Sequence, residues 1–167
     1  MSYLIVPLDS KHDRGKFSCG KELLDNYFWH QAKQDVKRKL SACFVLIDKE
    51  LKIITGYYTL SSSSIPNDLI PETFSKKLPK SYLSIPTILL GRLAIDKNFQ
   101  GKGIGKILLI DALKRCFGAS DSIGAFAVIV DPLDKEAERF YKKYGFIKLP
   151  DSGKMFLPMK TIRELFE

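Results

Sequence analysis

The chain has 167 residues, of which 45% are hydrophobic and 28% are charged. This length suits one ordinary domain with its own hydrophobic core, and the composition excludes a disordered chain and a membrane helix of roughly 20 apolar residues. Lysine and arginine number 27 against 19 acidic residues, and the formal net charge of +8 favours polyanionic partners or simple solubility.

The first half of the sequence predicts a strand, a long helix, a β-hairpin and then an irregular segment. Apolar residues near helical spacing between Leu23 and Leu40 favour one continuous helix with a basic end, which suits the negative pole of the helix dipole. The predicted ranges are strand Tyr3–Pro7, helix Leu23–Leu40, hairpin strands Ala42–Asp48 and Lys52–Ser61, and a proline-containing irregular segment from Pro66 to Pro86.

The second half alternates strands with helices. Thr87–Ile95 is a nearly continuous apolar run, as expected of a strand covered on both faces. The further predicted ranges are helices Gly103–Phe117 and Lys135–Tyr144, and strands Ile123–Asp131, Phe146–Leu149 and Met155–Met159. This order predicts an α/β protein with a mixed sheet and strand–helix crossovers, in one domain spanning residues 1–167.

The cysteines and histidines suggest no special chemistry. The three cysteines show no paired spacing, and the N-terminal residues show no secretory signal, so a reducing, cytoplasmic setting is expected. Cys116 falls in an apolar helical stripe and is predicted to be core. His12 and His30 belong to no HExxH or Cys/His cluster, so no metal site is expected.

A glycine-rich turn follows the strand Thr87–Ile95 and leads directly into a helix. It reads Gln100-Gly101-Lys102-Gly103-Ile104-Gly105-Lys106. Glycines allow a close backbone approach to a ligand, and the first amides of a helix are unpaired and carry partial positive charge. The turn therefore predicts an anion site suited to a pyrophosphate, with Lys102 and Lys106 adding charge.

Spacing separates three phosphate-binding patterns. A Walker A loop needs GxxxxGK followed by Ser or Thr, but this turn is one residue short and Ile107 supplies no hydroxyl. The dinucleotide fingerprint needs GxGxxG, whereas the turn is GxGxG. Gln100, Gly103 and Gly105 instead satisfy Gln/Arg-x-x-Gly-x-Gly/Ala. A glycine-eased joint between strand and helix would explain that pattern equally well if it stood alone.

A second motif stands downstream, beyond the next predicted strand. It reads Ala137-Glu138-Arg139-Phe140-Tyr141, followed by Gly145-Phe146. The two motifs in this order resemble the GNAT acetyltransferases, in which Ala-x-x-Phe-Tyr leads a short helix into Gly-Phe and a closing strand. The resemblance implies a GNAT fold whose central sheet contains a splayed parallel strand pair flanked by helices.

The resemblance also implies acetyl-coenzyme A as the co-substrate. Its pyrophosphate would bind the glycine turn, and its pantetheine would pair with the backbone near Leu93 and Ile95, where ligands of open α/β sheets collect. A backbone amide of the same segment would bind the oxyanion of the tetrahedral intermediate. The implied cofactor-binding residues are Leu93, Ala94, Ile95, Gln100, Gly101, Lys102, Gly103, Ile104, Gly105 and Lys106.

Tyr141 is the predicted catalytic residue because of its position in the family motif. A phenol with a pKa of about 10 is protonated at neutral pH and can donate to a thiolate whose reference pKa is about 8.5. Without the family position, a half-buried packing aromatic would be the better interpretation of Tyr141, and Tyr144 is expected to be core. No general base is apparent, since Asp96 and Asp131 suit turn formers. This favours an α-amine acceptor, which at a pKa of about 7.7–8.0 is already partly neutral.

Further blocks resemble the GNAT toxins of bacterial toxin–antitoxin modules and cover nearly the whole chain. They include Phe17-Ser18-Cys19-Gly20, Leu24-Asp25-Asn26-Tyr27-Phe28, Gly56-Tyr57-Tyr58-Thr59-Leu60-Ser61, Leu90-Gly91-Arg92-Leu93-Ala94 and Phe156-Leu157-Pro158-Met159-Lys160. In that family the acceptor is the α-amine of an aminoacyl-tRNA, and a ribbon-helix-helix antitoxin neutralises the enzyme. The family also implies a homodimer.

Several cations could contact a tRNA backbone. The predicted set is Lys33, Lys37, Arg38, Lys80 and Arg92, with Arg92 nearest the acceptor end because it adjoins the cofactor strand. A strand-end ion pair explains Arg92 equally well. Where the family suggests an arginine-rich stretch, this chain has Lys80-Ser81-Tyr82. Two alternatives remain open: an acetyltransferase for a small amine or a protein N-terminus, and a non-catalytic module that binds coenzyme A or nucleic acid.

Overall fold

The computed structural model describes residues 2–167, which form a mixed seven-stranded sheet with helices. The strands are β1 (Tyr3–Pro7), β2 (Ala42–Asp48), β3 (Ile53–Pro66), β4 (Ser84–Ile95), β5 (Ala127–Val130), β6 (Ile147–Lys148) and β7 (Met155–Pro158). The helices are α1 (Glu22–His30), α2 (Ala32–Lys37), α3 (Glu72–Ser75), α4 (Ile104–Ser120), α5 (Lys135–Lys143) and α6 (Met159–Phe166), with 3-10 turns at Asn67–Leu69 and Lys97–Phe99.

The sheet order is β1-β2-β3-β4-β5-β7-β6, which confirms the predicted α/β class and mixed sheet. The pairs β1–β2, β2–β3, β5–β7 and β6–β7 are antiparallel. As predicted, β4 and β5 are parallel, with Thr87 opposite Ala127 and Leu89 opposite Ile129. The pairing between them ends there, and β4 continues through Leu90–Ile95.

The chain divides into two compact units, although the sequence predicts one domain. The first comprises residues up to Ser61 together with Leu90–Ala112, and the second comprises Ser62–Leu89 together with Leu113–Glu167. The elements β3, β4 and α4 contribute residues to both units.

An aromatic cluster forms the core of the first unit. Phe28 stacks on Tyr57 with ring centroids 4.3 Å apart, and Phe17 meets the edges of both rings. The Tyr57 hydroxyl donates to the Leu24 carbonyl at 2.7 Å, so its polar atom is satisfied inside the core. This packing fixes α1 against the sheet of the first unit.

The core of the second unit is mostly aliphatic. Ile65, Ile85 and Ile129 are buried with Phe156, and Phe74 meets Phe156 with ring centroids 5.3 Å apart. Apolar side chains therefore hold the segment from Pro66 to Pro86, which was predicted to be irregular. The prediction is only partly right, because the segment contains one 3-10 turn, α3 and the beginning of β4 at Ser84.

The predicted single helix Leu23–Leu40 is wrong, because the chain breaks into α1 and α2 at Gln31, whose φ is −123°. α2 ends at Lys37, the chain turns at the left-handed Lys39 with a φ of 60°, and the Leu40 amide donates back to the Asp35 carbonyl at 2.9 Å. The apolar spacing was compatible with one helix, but burial of Ala32 and Asp35 reorients the second part.

Other boundaries differ from the predictions by a few residues. β3 extends through the serine run to Pro66, β5 is shorter than the predicted Ile123–Asp131, and α6 was not predicted. The hairpin turn closes on Asp48, whose Oδ1 accepts from the Glu50 and Leu51 amides at 2.9 Å each. Within residues 2–167, each helix is too short or too polar to cross a lipid bilayer.

Candidate active site

The end of β4 leads into a short, exposed glycine loop. Asp96 closes the 3-10 turn by accepting from the Asn98 amide at 2.9 Å, and the chain then passes through Gly101 and Gly103 with φ values of 77° and 80°. A Cβ atom built on either glycine would meet nothing within 4 Å. The glycines therefore provide a left-handed backbone beside open space, which is where an anion can approach the chain.

The loop ends where the buried Ile104 begins α4, and Leu108 continues the buried stripe of that helix. The Ile107 amide donates to the Gly103 carbonyl at 3.4 Å, so the amides before it lie ahead of the first intrahelical bond. Lys102 and Lys106 are both exposed, and Lys102 Nζ lies 5.3 Å from the centroid of the Phe99 ring. A helix N-terminus with flanking cations has the electrostatics of a pyrophosphate site.

The Gln100 side chain is used to build the loop. Its Nε2 donates to the Ile95 carbonyl at 2.9 Å and to the Cys19 carbonyl at 3.0 Å. These two bonds tie the end of β4 to a segment far away in the sequence. Gln100 therefore fixes the shape of the loop through its side chain, whereas the glycines leave their backbone open to a ligand.

Two buried carboxylates bind the Ser18–Cys19 segment, to which Gln100 connects the end of β4. Asp25 accepts from the Ser18 hydroxyl and the Cys19 amide at 2.8 Å each, and Asp96 accepts from the Ser18 amide at 3.2 Å. Both aspartates are at most 6% exposed. Asp25 was not singled out from the sequence, and the available signal was its place in a block shared with the toxins.

Leu93, Ala94 and Ile95 lie in the last part of β4, where Ala94 is 4% exposed and its neighbours are half-buried. Gly56 on β3 explains the close packing here, since an added Cβ would lie 2.7 Å from Leu108 Cδ1 and 3.1 Å from the Ala94 carbonyl oxygen. The structure thus gathers the end of β4 from Leu90, the glycine loop and the start of α4 within the first unit.

Tyr141 lies in the second unit, on α5. Asp134 caps this helix by accepting from the Ala137 amide at 2.9 Å, and Gly145, with a φ of 95°, ends it. The Tyr141 ring packs against Phe140 and Phe146 with centroids 5.3 Å and 5.2 Å away. The side chain is 7% exposed, and burial alone raises the pKa of its phenol well above the ordinary value.

A phenol in this setting stays protonated throughout the neutral range, since burial disfavours the phenolate. Within residues 2–167, no group is hydrogen-bonded to the Tyr141 hydroxyl. Its proton is therefore not committed to another side chain of the protein. A protonated and uncommitted hydroxyl is what a general acid needs, whereas the raised pKa by itself makes the phenol a weaker proton donor and the ring packing also suits a structural aromatic.

The predicted tRNA-binding residues divide into two kinds. Lys33 and Lys37 on α2 are exposed, and so is Arg38 directly after it. Lys80 is also exposed and lines an open cleft of about 720 Å³ with Asn67 and Tyr82. Arg92 is different, because it is half-buried and its guanidinium carbon lies 3.4 Å from the centroid of the Tyr27 ring. The predicted ion-pair explanation for Arg92 is wrong, since no carboxylate among residues 2–167 pairs with it.

The comparison with protein families decides the class of this chain. The family model described as Acetyltransferase (GNAT) domain matches residues 39–148, which include β4, the glycine loop and Tyr141. The chain belongs to the GNAT acetyltransferase family. It is therefore an acetyltransferase, as its two motifs predict.

Relatives in sequence include two toxins. This GNAT chain is 36% identical to the "Probable toxin TacT" of Sinorhizobium fredii (strain NBRC 101917 / NGR234), over 97% of this chain and 94% of that one. It is 37% identical to the "tRNA-acetylating toxin" of Mycobacterium tuberculosis (strain ATCC 25618 / H37Rv), over 92% and 90% of the two chains.

Solved structures of the toxin AtaT share the fold. AtaT complexed with acetyl-methionyl-tRNAfMet matches with a TM-score of 0.91 and 32% identity, covering 99% of this chain and 100% of that chain. A tyrosine-to-phenylalanine mutant of AtaT, bound to the C-terminus of the antitoxin AtaR and to acetyl-CoA, matches with a TM-score of 0.83 and 30% identity, covering 98% of each chain.

The three cysteines of the GNAT chain are buried and unpaired. Burial raises the pKa of Cys19 to about 11 and that of Cys43 and Cys116 to about 12, so none is a thiolate nucleophile at neutral pH. The prediction that Cys116 is core is confirmed, since the residue is 0% exposed. This agrees with direct attack of an amine on a thioester, without an acyl-cysteine intermediate.

Proposed function

We propose that this chain transfers the acetyl group of acetyl-coenzyme A to the α-amine of an aminoacyl-tRNA, and that it acts as a toxin by removing charged tRNA from translation. The observation that carries this proposal is the open glycine loop at the N-terminus of α4, in a chain whose relatives are named for tRNA acetylation. The AtaT complexes with acetyl-methionyl-tRNAfMet and with acetyl-CoA give the same reaction class.

The residues of the first unit fit coenzyme A. The backbone of Gly101 and Gly103 has no Cβ to obstruct a pyrophosphate, and the first amides of α4 point their partial positive charge toward it. Lys102 and Lys106 add counter-charge. Leu93 to Ile95 supply an extended backbone for the amides of the pantetheine arm, and one amide of this segment would donate to the oxyanion.

Tyr141 would act as the general acid. The acceptor nitrogen attacks the thioester carbonyl carbon, and collapse of the tetrahedral intermediate breaks the carbon–sulfur bond. The Tyr141 hydroxyl gives its proton to the departing sulfur, and the attacking amine, which must lose a proton, restores the phenol directly or through water. Because burial raises the pKa of Tyr141, the phenol is fully protonated when the thiolate forms.

The proposed acceptor is an α-amine. Its pKa of about 7.7–8.0 leaves a useful neutral fraction at physiological pH, whereas a lysine amine at about 10.4 would need a general base. The exposed cations Lys33, Lys37, Arg38 and Lys80 would contact tRNA phosphates and contribute a salt-dependent affinity.

The partners follow from the same proposal. We infer a ribbon-helix-helix antitoxin that neutralises the enzyme, as an antitoxin binds AtaT, and we infer a homodimer in the cytoplasm, where the tRNA substrates are. Both units are proposed to act as one acetyltransferase domain, because β3, β4 and α4 continue through both. Light scattering of the purified chain, alone and with the protein of an adjoining antitoxin gene, tests both assemblies.

The deciding experiment incubates the enzyme with labelled acetyl-coenzyme A and total bacterial tRNA, either aminoacylated or deacylated. Label should enter only the aminoacylated pool and should be lost with Tyr141→Phe. Tyr144→Phe is a matched control, since Tyr144 is half-buried one turn further along the same helix and packs on Phe140. It should keep its activity.

Absence of label from both pools, with coenzyme A binding retained, would reject tRNA as the acceptor. The same assay with small amines and peptides would then identify an acetyltransferase for another acceptor. Equal labelling by the Tyr141→Phe variant would remove Tyr141 from the mechanism while leaving the acceptor established.

A further inference from the structure

Arg92 stands out among the cations because its charge is held in place but pairs with no carboxylate of the described residues 2–167. Its Cζ lies over the Tyr27 ring, 3.4 Å from the centroid, and within residues 2–167 its side chain makes one hydrogen bond, a 3.5 Å contact from Nη1 to Thr59 Oγ1. A guanidinium has five N–H donors in a fixed fork. Most of these donors are therefore available to an oxygen ligand, in a half-buried setting where leaving them unpaired is unfavourable.

A buried hydrogen bond fixes the platform under Arg92. The Tyr27 hydroxyl donates to Asp35 Oδ2 at 2.8 Å, and both side chains are nearly buried, at 6% and 8% exposure. The break at Gln31 that separates α1 from α2 places these two residues together, and Gln31 Nε2 also donates to Asp35 Oδ2 at 3.4 Å. The Tyr27 ring is thus oriented from α2.

The surroundings of Arg92 favour an anion. Two arginines, Arg14 and Arg92, lie close enough to the Cys43 thiol to act on it electrostatically. The negative charge that acts alongside Arg92 on the Tyr27 phenol is that of Asp35, which already accepts a hydrogen bond from the same phenol. Arg14 itself is occupied, because its Nη1 donates to the Phe28 and Trp29 carbonyls at 3.0 Å and 3.2 Å. Arg14 is thus anchored to the backbone by two hydrogen bonds from one nitrogen, whereas the guanidinium of Arg92 makes one long hydrogen bond to a hydroxyl.

The position of Arg92 indicates which anion it binds. It immediately precedes Leu93 on β4, at the start of the segment proposed to hold the pantetheine, and a strand advances about 3.3 Å per residue. α2, which supplies Asp35, also carries the exposed cations Lys33 and Lys37, and Arg38 follows at its end. α2 and Arg92 are connected through the Asp35–Tyr27 hydrogen bond and the Tyr27 ring, so a polyanion bound along α2 would meet Arg92 beside the cofactor strand.

We propose that Arg92 binds the phosphate of the terminal nucleotide of the tRNA acceptor end, and that Tyr27 and Asp35 are positioning residues that act through Arg92. This role rests on the proposed function and deepens it. The rigid fork accepts two phosphate oxygens at once, which fixes the direction in which the terminal nucleotide enters the site. The exposed lysines contribute attraction without this orientation.

The test uses an RNA minihelix with a single-stranded ACCA end for binding and aminoacyl-tRNA for turnover. Arg92→Gln should weaken minihelix binding and raise KM about tenfold with little change in kcat, and the slope of log Kd against log salt should fall by about 0.7, the value for one single-strand phosphate contact. Arg92→Lys should retain most of the slope, since the charge remains, while KM rises because the fork is absent.

Tyr27 variants test the positioning role. Tyr27→Phe keeps the ring face and should raise KM less than threefold, whereas Tyr27→Leu removes the stacking surface and should reproduce Arg92→Gln. In the Arg92→Gln background, Tyr27→Leu should add nothing further to KM, which distinguishes action through Arg92 from general damage to the fold. If Tyr27→Leu unfolds, the Arg92 variants still test whether Arg92 binds the phosphate, since Arg92 lies outside the aromatic core.

Unchanged minihelix affinity and salt slope in Arg92→Gln would overturn the assignment, whatever the activity of the enzyme. A wild-type chain that binds the minihelix in an Arg92-dependent manner but acetylates no aminoacyl-tRNA would keep the Arg92 assignment and refute the proposed function. Additive losses in the Tyr27→Leu, Arg92→Gln double variant would overturn the positioning role of Tyr27 alone.

Discussion

The glycine loop and the Tyr141 side chain lie on the two motifs of the family, but they are built in opposite ways. The loop consists of exposed backbone at positive φ, with open space where side chains would stand. Tyr141 is a buried ring between Phe140 and Phe146 whose function would depend on a single hydroxyl. The loop should therefore be sensitive to backbone conformation, and the tyrosine to the loss of one atom.

The largest expected effect is that of Tyr141→Phe. We expect kcat to fall by a factor on the order of 10² to 10³, as for the loss of a general acid, with the Kd of coenzyme A unchanged. The free energy of unfolding should be equal or slightly higher, because the ring packing remains and the hydroxyl makes no hydrogen bond within residues 2–167. Single-turnover kinetics, calorimetric titration and thermal melting measure the three quantities.

Gly103→Ala should have the next largest effect, and it should act on binding. Alanine at a φ of 80° is strained by about 1–2 kcal/mol, and nothing within 4 Å would clash with the added methyl group. Relaxation of the loop should weaken coenzyme A binding by about tenfold, as measured by calorimetric titration.

Gly118→Ala is the matched control for that substitution. Gly118 lies within α4, has ordinary helical backbone and also has nothing within 4 Å of an added Cβ. Alanine there should stabilise the protein by about 0.5–1 kcal/mol and leave coenzyme A affinity unchanged. A similar loss of coenzyme A affinity in both variants would show that the affinity does not depend on the loop conformation.

The pH dependence of the rate and of the stability is expected to be a smaller effect than those of the Tyr141 and Gly103 substitutions. Burial disfavours the phenolate, so the folded pKa of Tyr141 lies above its unfolded value of about 10. The rate should rise as the acceptor amine loses its proton near pH 7.7–8.0 and should not fall again below about pH 10. The same shift makes the contribution of Tyr141 to stability constant below about pH 10, and this contribution is lost as the pH rises further.

Rate–pH profiles and denaturant titrations measure the two parts of this prediction. An alkaline decline in kcat with a midpoint near pH 8.5 would contradict a buried phenol as the acid. The decrease in stability above pH 10 should be smaller in Tyr141→Phe, which has no phenol at this position to ionise.

The smallest effects are expected on α2 and its C-terminal end. Replacing Lys33, Lys37 or Arg38 singly with glutamine should raise KM for aminoacyl-tRNA only two- to threefold at low salt, and each phosphate that the variant no longer binds should lower the salt slope by about 0.7–0.9. Lys16→Gln, an exposed lysine in the same unit, is the control and should change neither quantity. Equal effects at all four positions would mean that net charge, and not a defined surface, attracts the tRNA.

Much of the fold could be predicted because it depends on patterns that are local in the sequence. β1, β4, α4 and α5 were located from apolar runs, helical spacing and glycine stops, to within a few residues. The break at Gln31 could not be predicted, because the periodicity of Leu23–Leu40 fits one helix and the break depends on where Asp35 is buried. α6 was not predicted, because it directly follows the apolar strand β7.

In the candidate site, too, the features set by local sequence could be predicted and those set by distant contacts could not. Glycine spacing predicted the loop, because an unusual backbone needs particular residues nearby in the sequence. The roles of Gln100 and Asp25 could not be predicted, since each depends on hydrogen bonds to Ser18 or Cys19 that only the folded chain brings within reach. The stacking of Arg92 on Tyr27 is equally non-local, and the sequence alone left an ion pair as an equal explanation.

The order of the strands determines which part of the protein can fold first during synthesis. β5 lies between β4 and β7, and β7 follows every other strand of the sheet in the chain. The glycine loop and the residues that brace it, Ser18, Cys19, Asp25 and Asp96, all leave the ribosome much earlier. The loop can therefore form in the nascent chain while β5 still lacks its neighbour β7. The loop at the start of α4 can thus form in this acetyltransferase before the sheet of its second unit closes.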